Sequence, residues 1–440
     1  MTEELTPESR NENFLARAAG MEGETLEPES RKEAFLAKAA GESVETPEPE
    51  SREEWFLNKI AEGGGGGGGG GGNDWGTIKY LDDDSVEHTA TIQNAYEFST
   101  LGSLKSSAQM VASVDGVTIL YQKITEAHLG KSVTFLPDYF LSCSSGSKGV
   151  LTIVDGLENV RTISHGVLQY QPLLNCDIVL PKIESIGAFF LYDVPSFNGE
   201  IVFGDDLKYI GDSFLRGAAA FNKELTITAE IIGSSFIYNN SGSPVSFNSP
   251  ITFTKTNLSI GTGFLQNSTS FNSDITFADN SSIAIDSSFL QGCTAFNKKI
   301  SFGNGSSVTI GDYFLSSCTS FNSELDLTGV TRIGNIFMNG CSSFAQDLTI
   351  PSSVTRIGVD TNAPNFMSNC NNFTGILTCE TENYPMGSSG SSTNSVLSTT
   401  SSSAPMYTSG VRLSGTYAQT WKDAFPDRSS SPRRKLVVVQ

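Results

Sequence analysis

Four cysteines recur at nearly one spacing: Cys293, Cys318, Cys341 and Cys370 each follow a phenylalanine by four residues. Thiolates so arranged could ligate a metal. The chain, however, has seven cysteines, an odd number, and no C-x-x-C pair, which argues against both a zinc site and a disulfide framework. Stacked on one another the four would make a straight ladder without tetrahedral geometry, so they read as a column of buried thiols. The three histidines, His88, His128 and His165, share no ligand spacing with a cysteine or with each other. Asp82-Asp83-Asp84-Ser85-Val86-Glu87 has the acidity of a calcium loop but neither its glycine nor its spacing, and reads as a charged turn. No P-loop, G-x-S-x-G or nucleophile–base pair is present. The expectation is a protein that is not an enzyme and takes no cofactor and no metal.

The remaining candidates are binding residues, and a repeat positions them. Phe-Asn recurs at 197, 221, 247, 271, 296 and 321, in steps of 24, 26, 24, 25 and 25 residues. The best copies read SIGTGFLQNSTSFNSDITF from Ser259, AIDSSFLQGCTAFNKKISF from Ala284 and TIGDYFLSSCTSFNSELDL from Thr309. Degenerate copies on both sides bring the total to about ten coils of 23–29 residues across 131–380. Of the 28 phenylalanines, 23 fall between 131 and 379. One such coil cannot bury its own apolar face, but stacked coils share a continuous core. The sequence therefore predicts a mainly β solenoid with short helical turns.

Within each coil, pairs such as Ile201/Phe203, Ile275/Phe277 and Ile300/Phe302 alternate as a short strand does. The S-I-G and T-R-I-G pieces supply a second extended segment, and F-L-x-x-C/S-x-x-F is expected to be a helical or 3₁₀ turn. Two sets of rings form the repeat core: Phe214, Phe264, Phe289, Phe314 and Phe337, then Phe221, Phe271, Phe296 and Phe321. The asparagines Asn198, Asn222, Asn272, Asn297 and Asn322 suit bonding to backbone at a corner of the coil. Insertions at Tyr238-Asn239-Asn240 and at Asp360 to Asn362 interrupt the coil and are the candidate ligand loops.

A different repeat occupies the N-terminus. PESRNENFLARAAG from Pro7, PESRKEAFLAKAAG from Pro28 and PESREEWFLNKIAE from Pro49 are spaced by 21 residues. Proline at the first helical position and glutamate in the first turn start a helix in each copy. Phe14-Leu15, Phe35-Leu36 and Phe56-Leu57 give each helix a short apolar stripe, while Arg10, Arg31 and Arg52 close the PESR motif. Helices this short are marginal alone. Residues 1–62 are expected to be largely disordered, with three short helices that dock on a partner and gain avidity from triplication.

The remaining segments follow from composition. Gly63 to Gly72 is a polyglycine linker. Residues 73–130 lack the repeat and would cap the open end of the solenoid or form a small oligomerisation domain. Residues 381–403 are a Ser-rich loop, and 404–440 a C-terminal cap and tail. The formal charge of −20 excludes nucleic acid and anionic membranes as partners. It is concentrated: residues 1–62 carry 16 acidic and 7 basic groups, a net −9. No apolar run spans a bilayer and no signal peptide is visible.

The copies SSVTRIGVDTNAPNFMSNCNNF from Ser352 and TGVTRIGNIFMNGCSSF from Thr328 resemble the BspA-like leucine-rich repeat family. APMYTSGVRLSGTYAQTWKDAFPDR, with Tyr417, Trp421 and Phe425 four apart, resembles the element that closes such arrays. That resemblance implies a non-catalytic adhesin or recognition solenoid. Members of that family are exported, whereas the triplicate PESR motif resembles N-terminal peptides of bacteriophage head fibres and similar virion appendages, which assemble in the bacterial cytoplasm. Together they imply a virion protein that docks on a capsid or tail protein through residues 1–62 and presents the solenoid to a host-surface or mucosal glycan or protein. It could assemble as a dimer or trimer. A bacterial surface adhesin and an intracellular multivalent scaffold are the alternatives.

Overall fold

A computed structural model describes residues 74–102, 110–146, 149–238, 246–358, 365–385 and 396–439. The docking residues Phe14, Leu15, Phe35, Leu36, Phe56, Leu57, Arg10, Arg31 and Arg52 lie outside these ranges, as do Asn239, Asn240, Asp360 and Asn362. The fold is a β-solenoid of about 12 turns with little helix. The count exceeds the ten coils expected across 131–380, and strands Val411–Ser414 and Leu436–Val438 add parallel rungs beyond that range.

The coils fall into two units, one ending at Phe221 and including Ile231–Gly233, the other made of Asn222–Glu230 and Ser234 onward. The first unit opens with strands β1 (Gly76–Leu81), β2 (Glu87–Thr91), β3 (Val111–Val114), β4 (Val117–Leu120) and β5 (Ile124–Leu129) and a short helix, Ala95–Ser99. β1 pairs antiparallel with β2 and β5, and β3 with β4. Asp82 shapes the β1–β2 turn as the acidic run implied: its carboxylate accepts the N–H groups of Asp84 and Val86, both at 2.9 Å. β5 then pairs in parallel with Ile153–Asp155, so the segment before residue 130 continues directly into the coils. The short strands Phe135–Leu136, Thr162–Ile163, Ser185–Ile186, Tyr209–Ile210 and Ile231–Ile232 form one parallel ladder.

The second unit repeats the plan. Asn257–Ile260, Ser282–Ile285, Ser307–Ile310, Val330–Ile333 and Arg356–Ile357 stack in parallel. On another face Leu225–Ile227, Ile251–Phe253 and Ile275–Thr276 pair in register. At the far end of the unit, Leu348–Ile350, Ile376–Cys379, Val411–Ser414 and Leu436–Val438 form a further ladder. Helix Ala418–Ala424 presents Trp421 beside Phe366, ring centroids 5.9 Å apart, and the indole N–H donates to Thr381 O at 3.0 Å. Nearby, buried Arg434 donates to the carbonyls of Pro426 and Val396 and lies 5.4 Å from the Phe425 ring. Burial lowers its pKa to about 10. Among the described residues no helix is long and apolar enough to cross a membrane.

The nine core phenylalanines named from the repeat are all buried, none more than 1% exposed. In the second unit they extend into two stacks. One runs Phe236, Phe264, Phe289, Phe314, Phe337, Phe366 with centroids 5.1–5.8 Å apart, and the other Phe247, Phe271, Phe296, Phe321, Phe344, Phe373 at 5.6–5.9 Å. In the first unit Phe190 stands 5.9 Å from Phe214 and Phe197 5.8 Å from Phe221. Burial of each ring stabilises by about 1.5–3 kcal/mol, so the stacks are the main cohesive force between coils.

The F-L-x-x-C segment departs from the expected helical turn. In the coil around Phe289, residues Ser288, Leu290 and Gly292 have φ of +66°, +57° and +75°. Their N–H groups bond alternately to the next coil (Asp312 O, 2.7 Å), the previous coil (Phe264 O, 3.0 Å) and the next again (Ser316 O, 2.8 Å). Tyr313, Leu315 and Ser317 repeat the pattern one coil on. A helical turn would direct every N–H along its own axis; left-handed residues at alternate positions direct them outward to both neighbours.

Candidate functional site

The side chains that join coils leave the outward positions open to choice. At the corner after Phe221, Phe247, Phe271 and Phe296, an asparagine carbonyl oxygen accepts the backbone N–H of its counterpart one coil later. Asn222 accepts from Asn248 at 2.7 Å, Asn248 from Asn272 at 2.6 Å, Asn272 from Asn297 at 2.8 Å and Asn297 from Asn322 at 2.7 Å. Asn322 accepts from Ala345, and in the first unit Asn175 from Asn198, both at 2.9 Å. The asparagines thus do bond backbone at a corner, and the backbone belongs to the neighbouring coil.

The four cysteines act in the same way inside. Cys293, Cys318, Cys341 and Cys370 are fully buried, and their thiols donate to Leu265 O, Leu290 O, Leu315 O and Met338 O at 3.0–3.1 Å. Each acceptor is a left-handed residue of the preceding coil. Ser268 holds the same position and donates to Ile237 O. Burial pushes the Cys318 and Cys370 thiols up to about 12, which keeps them protonated donors and poor nucleophiles.

A cleft of about 380 Å³ opens in the second unit where strand pairing thins. Ile275–Thr276 is only two residues long, and the rungs beyond it meet through a single bridge, Ile300 to Leu325. Phe277 and Phe302, with centroids 5.5 Å apart, line its apolar part, and Asp279, Lys299, Asn304 and Asp326 line the polar part. Asp279 accepts the N–H of Asn304 at 2.7 Å and Asp326 that of Thr328 at 2.9 Å, while Lys299 pairs with Glu324 at 3.0 Å. Backbone N–H groups thus hold the two carboxylates and Glu324 holds Lys299, while the two rings beneath are buried.

One ionic cluster lies on the first unit's β1–β5 sheet. His128 contacts Glu126 at 2.8 Å and Asp155 at 3.0 Å, and Lys79 meets Glu126 at 2.8 Å. Partial burial disfavours the His128 imidazolium, but hydrogen bonds to Asp155 and Glu126 outweigh it and the net shift is upward. Among the described residues no group of His, Cys, Asp and Glu is placed to hold a metal. Of the candidate loop residues, Tyr238 is described, half-buried at the edge of its insertion. Repeat reading missed the cleft because its residues are ordinary members of their coils.

Residues 258–378 match the family described as Mycoplasma protein of unknown function, DUF285. No curated protein and no solved structure matches the chain.

Proposed function

We propose that the chain is a structural protein of a bacteriophage virion, a head-fibre or tail-fibre-like appendage that docks on a capsid or tail protein through residues 1–62 and presents the solenoid to a host-surface or mucosal glycan or protein. It acts by binding and not by catalysis. The observation that carries the display half of this reading is the division of labour within a coil. Inward Phe, Ile and Cys and corner Asn repeat, whereas the residue before each first-stack ring varies, from buried Ser213, Gly263 and Ser288 to part-exposed Ile336 and exposed Tyr313. A scaffold of fixed interior and variable exterior is suited to recognition. The docking half rests on the three PESR motifs.

The test is incorporation. Particles assembled with the full chain should carry it, and particles assembled with a chain lacking residues 1–62 should not, while the shortened chain keeps its β circular dichroism. Equal incorporation of both would refute the docking role. The family description names Mycoplasma proteins, and a bacterial origin is compatible with a second reading, a bacterial surface adhesin. Recovery of the full chain on the surface of producing cells without particle proteins would select it.

A further inference from the structure

Five aromatic rings form a connected strip on the outside of the first unit. Tyr139 meets His165 at 5.4 Å and His165 meets Phe189 at 5.0 Å. Phe189 meets Tyr192, and Tyr192 meets Tyr170, both at 5.5 Å. All four contacts are edge-on, at 68–82° between planes. The Arg216 guanidinium lies 5.7 Å from the Tyr192 centroid. Each of these side chains is part-exposed.

The backbone gives no reason for rings here. Tyr139, Phe189 and Tyr170 have φ of +53°, +62° and +53°, a region that disfavours bulky residues. Their N–H groups bond His165 O, Asp212 O and Tyr192 O, contacts that any residue makes: Ser288 bonds Asp312 O in the same way. At the matching positions most other coils place small or polar residues, such as Ser213, Gly263 and Ser288 or Gly217, Asn267 and Gly292, with Tyr313 and Ile336 the bulky exceptions. Left-handed backbone is built into every coil, as at Leu191, Leu215 and Leu265, so what sets the strip apart is that large rings stand part-exposed side by side where most coils carry serine or glycine, and such a patch points to use.

We infer that this strip is a binding platform for a neutral saccharide chain. The inference deepens the recognition reading above and rests on it. Ring faces accept the C–H faces of a pyranose, and the polar groups beside them can take its hydroxyls. Asp193, part-buried among the rings, offers a carboxylate acceptor and Arg216 offers donors. Charge selects against anions: the carboxylates of Asp138 and Asp193 flank the strip beside the single guanidinium of Arg216. Shape selects a chain, because the rings follow one another across coils and do not surround a point, as a cage for a quaternary ammonium does. The edge-on contacts hold the rings in place before a ligand arrives, which lowers the entropy lost on binding.

The full-length chain, fluorescently labelled, is applied to an immobilised panel of neutral, sialylated and sulfated glycans, with choline as a soluble competitor. Binding to neutral glycans, undiminished by choline, is expected. Phe189→Ser and Tyr192→Ser, which install side chains this fold already carries at such positions or nearby, should each weaken it by about tenfold or more. Tyr313→Ser, in the second unit, should leave it unchanged. Retained circular dichroism and a monomer–oligomer distribution equal to wild type would show that the variants act on the platform. No binding to neutral glycans, preference for anionic ones, loss to choline, or insensitivity to both strip variants would each overturn the proposal. So would a change of oligomeric state in the variants, which would mark the strip as a contact between copies. A strip variant that enters particles but no longer binds glycan leaves the virion reading intact, whereas a chain that binds glycan but never enters particles removes that reading alone.

Discussion

The side-chain oxygen of Asn297 accepts the backbone N–H of Asn322 at 2.7 Å, and the hydroxyl of Ser323 donates to both Asn297 oxygens, at 2.7 Å to the backbone and 3.0 Å to the side chain. One residue thus ties two successive coils at an exposed corner where no strand pairs. Replacing Asn297 by Ala removes the acceptor of the Asn322 N–H while leaving that N–H accessible to water. Asn297→Ala is expected to destabilise the second unit by about 0.5–1.5 kcal/mol. Asn297→Asp, which keeps an oxygen in place, should lose less. Denaturant titration measures both, and hydrogen exchange at the Asn322 amide should quicken in the alanine variant alone. An unchanged exchange rate would remove the tie.

Phe289 stands between Phe264 at 5.3 Å and Phe314 at 5.5 Å, stacked nearly parallel to each. Truncation leaves a cavity that rigid neighbouring coils cannot fill, so Phe289→Ala should cost about 3–5 kcal/mol. Because each coil contacts mainly its neighbours, Phe289→Ala and Phe314→Ala should be non-additive by about 0.5–3 kcal/mol, whereas Phe289→Ala and Phe373→Ala should add. Additivity of the adjacent pair would mean that the stack is not a cooperative unit.

Much of this was legible in the residues themselves. Phenylalanines at 25-residue spacing specify a slot that stacking repeats, and alternation such as Ile201/Phe203 specifies a strand that buries both ends. The corner role of Asn297 was legible, but its partner was not, since the acceptor relationship exists only between coils. The left-handed turns carried a signal that a helical reading passes over: glycine stands at Gly263, directly before a ring, and at Gly292, three after one. The strip was hidden because Tyr139, His165, Tyr170, Phe189 and Tyr192 come from three coils at unequal offsets, and only stacking brings them into one line.

The ionic cluster of the first unit sets a pH window. His128 is shifted upward: burial opposes its charge, but hydrogen bonds to Asp155 and Glu126 prevail. Its contribution is complete below the ordinary value of 6.5 and is lost as pH rises through the raised one. Glu126 is shifted downward, chiefly by Lys79 and then by His128, so its contribution is complete above 4.5 and lost as pH falls through the lowered value. The cluster should therefore favour the folded state most between about pH 4.5 and 6.5. Thermal unfolding followed at buried Trp75 should show a decline above that window which His128→Gln flattens. Parallel profiles for the variant and the wild type would exclude the cluster as the cause.

The left-handed turns separate two readings of the same segment by the sign of one substitution. Gly340 has φ +77°, and a Cβ there would meet nothing nearer than 3.7 Å, so sterics from neighbours play no part. In a helix, alanine is favoured over glycine by about 0.5–1 kcal/mol, and Gly340→Ala would stabilise. In the left-handed region the Cβ clashes with its own backbone, and the same change should destabilise by about 1–2 kcal/mol. Asparagine, which tolerates this region, occupies the matching positions at Asn267 (φ +61°) and Asn369 (φ +56°). Gly340→Asn should thus be milder than Gly340→Ala, the reverse of the helical order. Gly292→Ala should cost slightly more than Gly340→Ala, since its Cβ would also meet the Asn267 side-chain oxygen at 2.4 Å and make that exposed amide swing aside. Unfolding midpoints that fall in the order Gly340→Asn, Gly340→Ala, Gly292→Ala would establish that each coil turns its corner through left-handed residues, and a stabilising Gly340→Ala would return the segment to a helical turn.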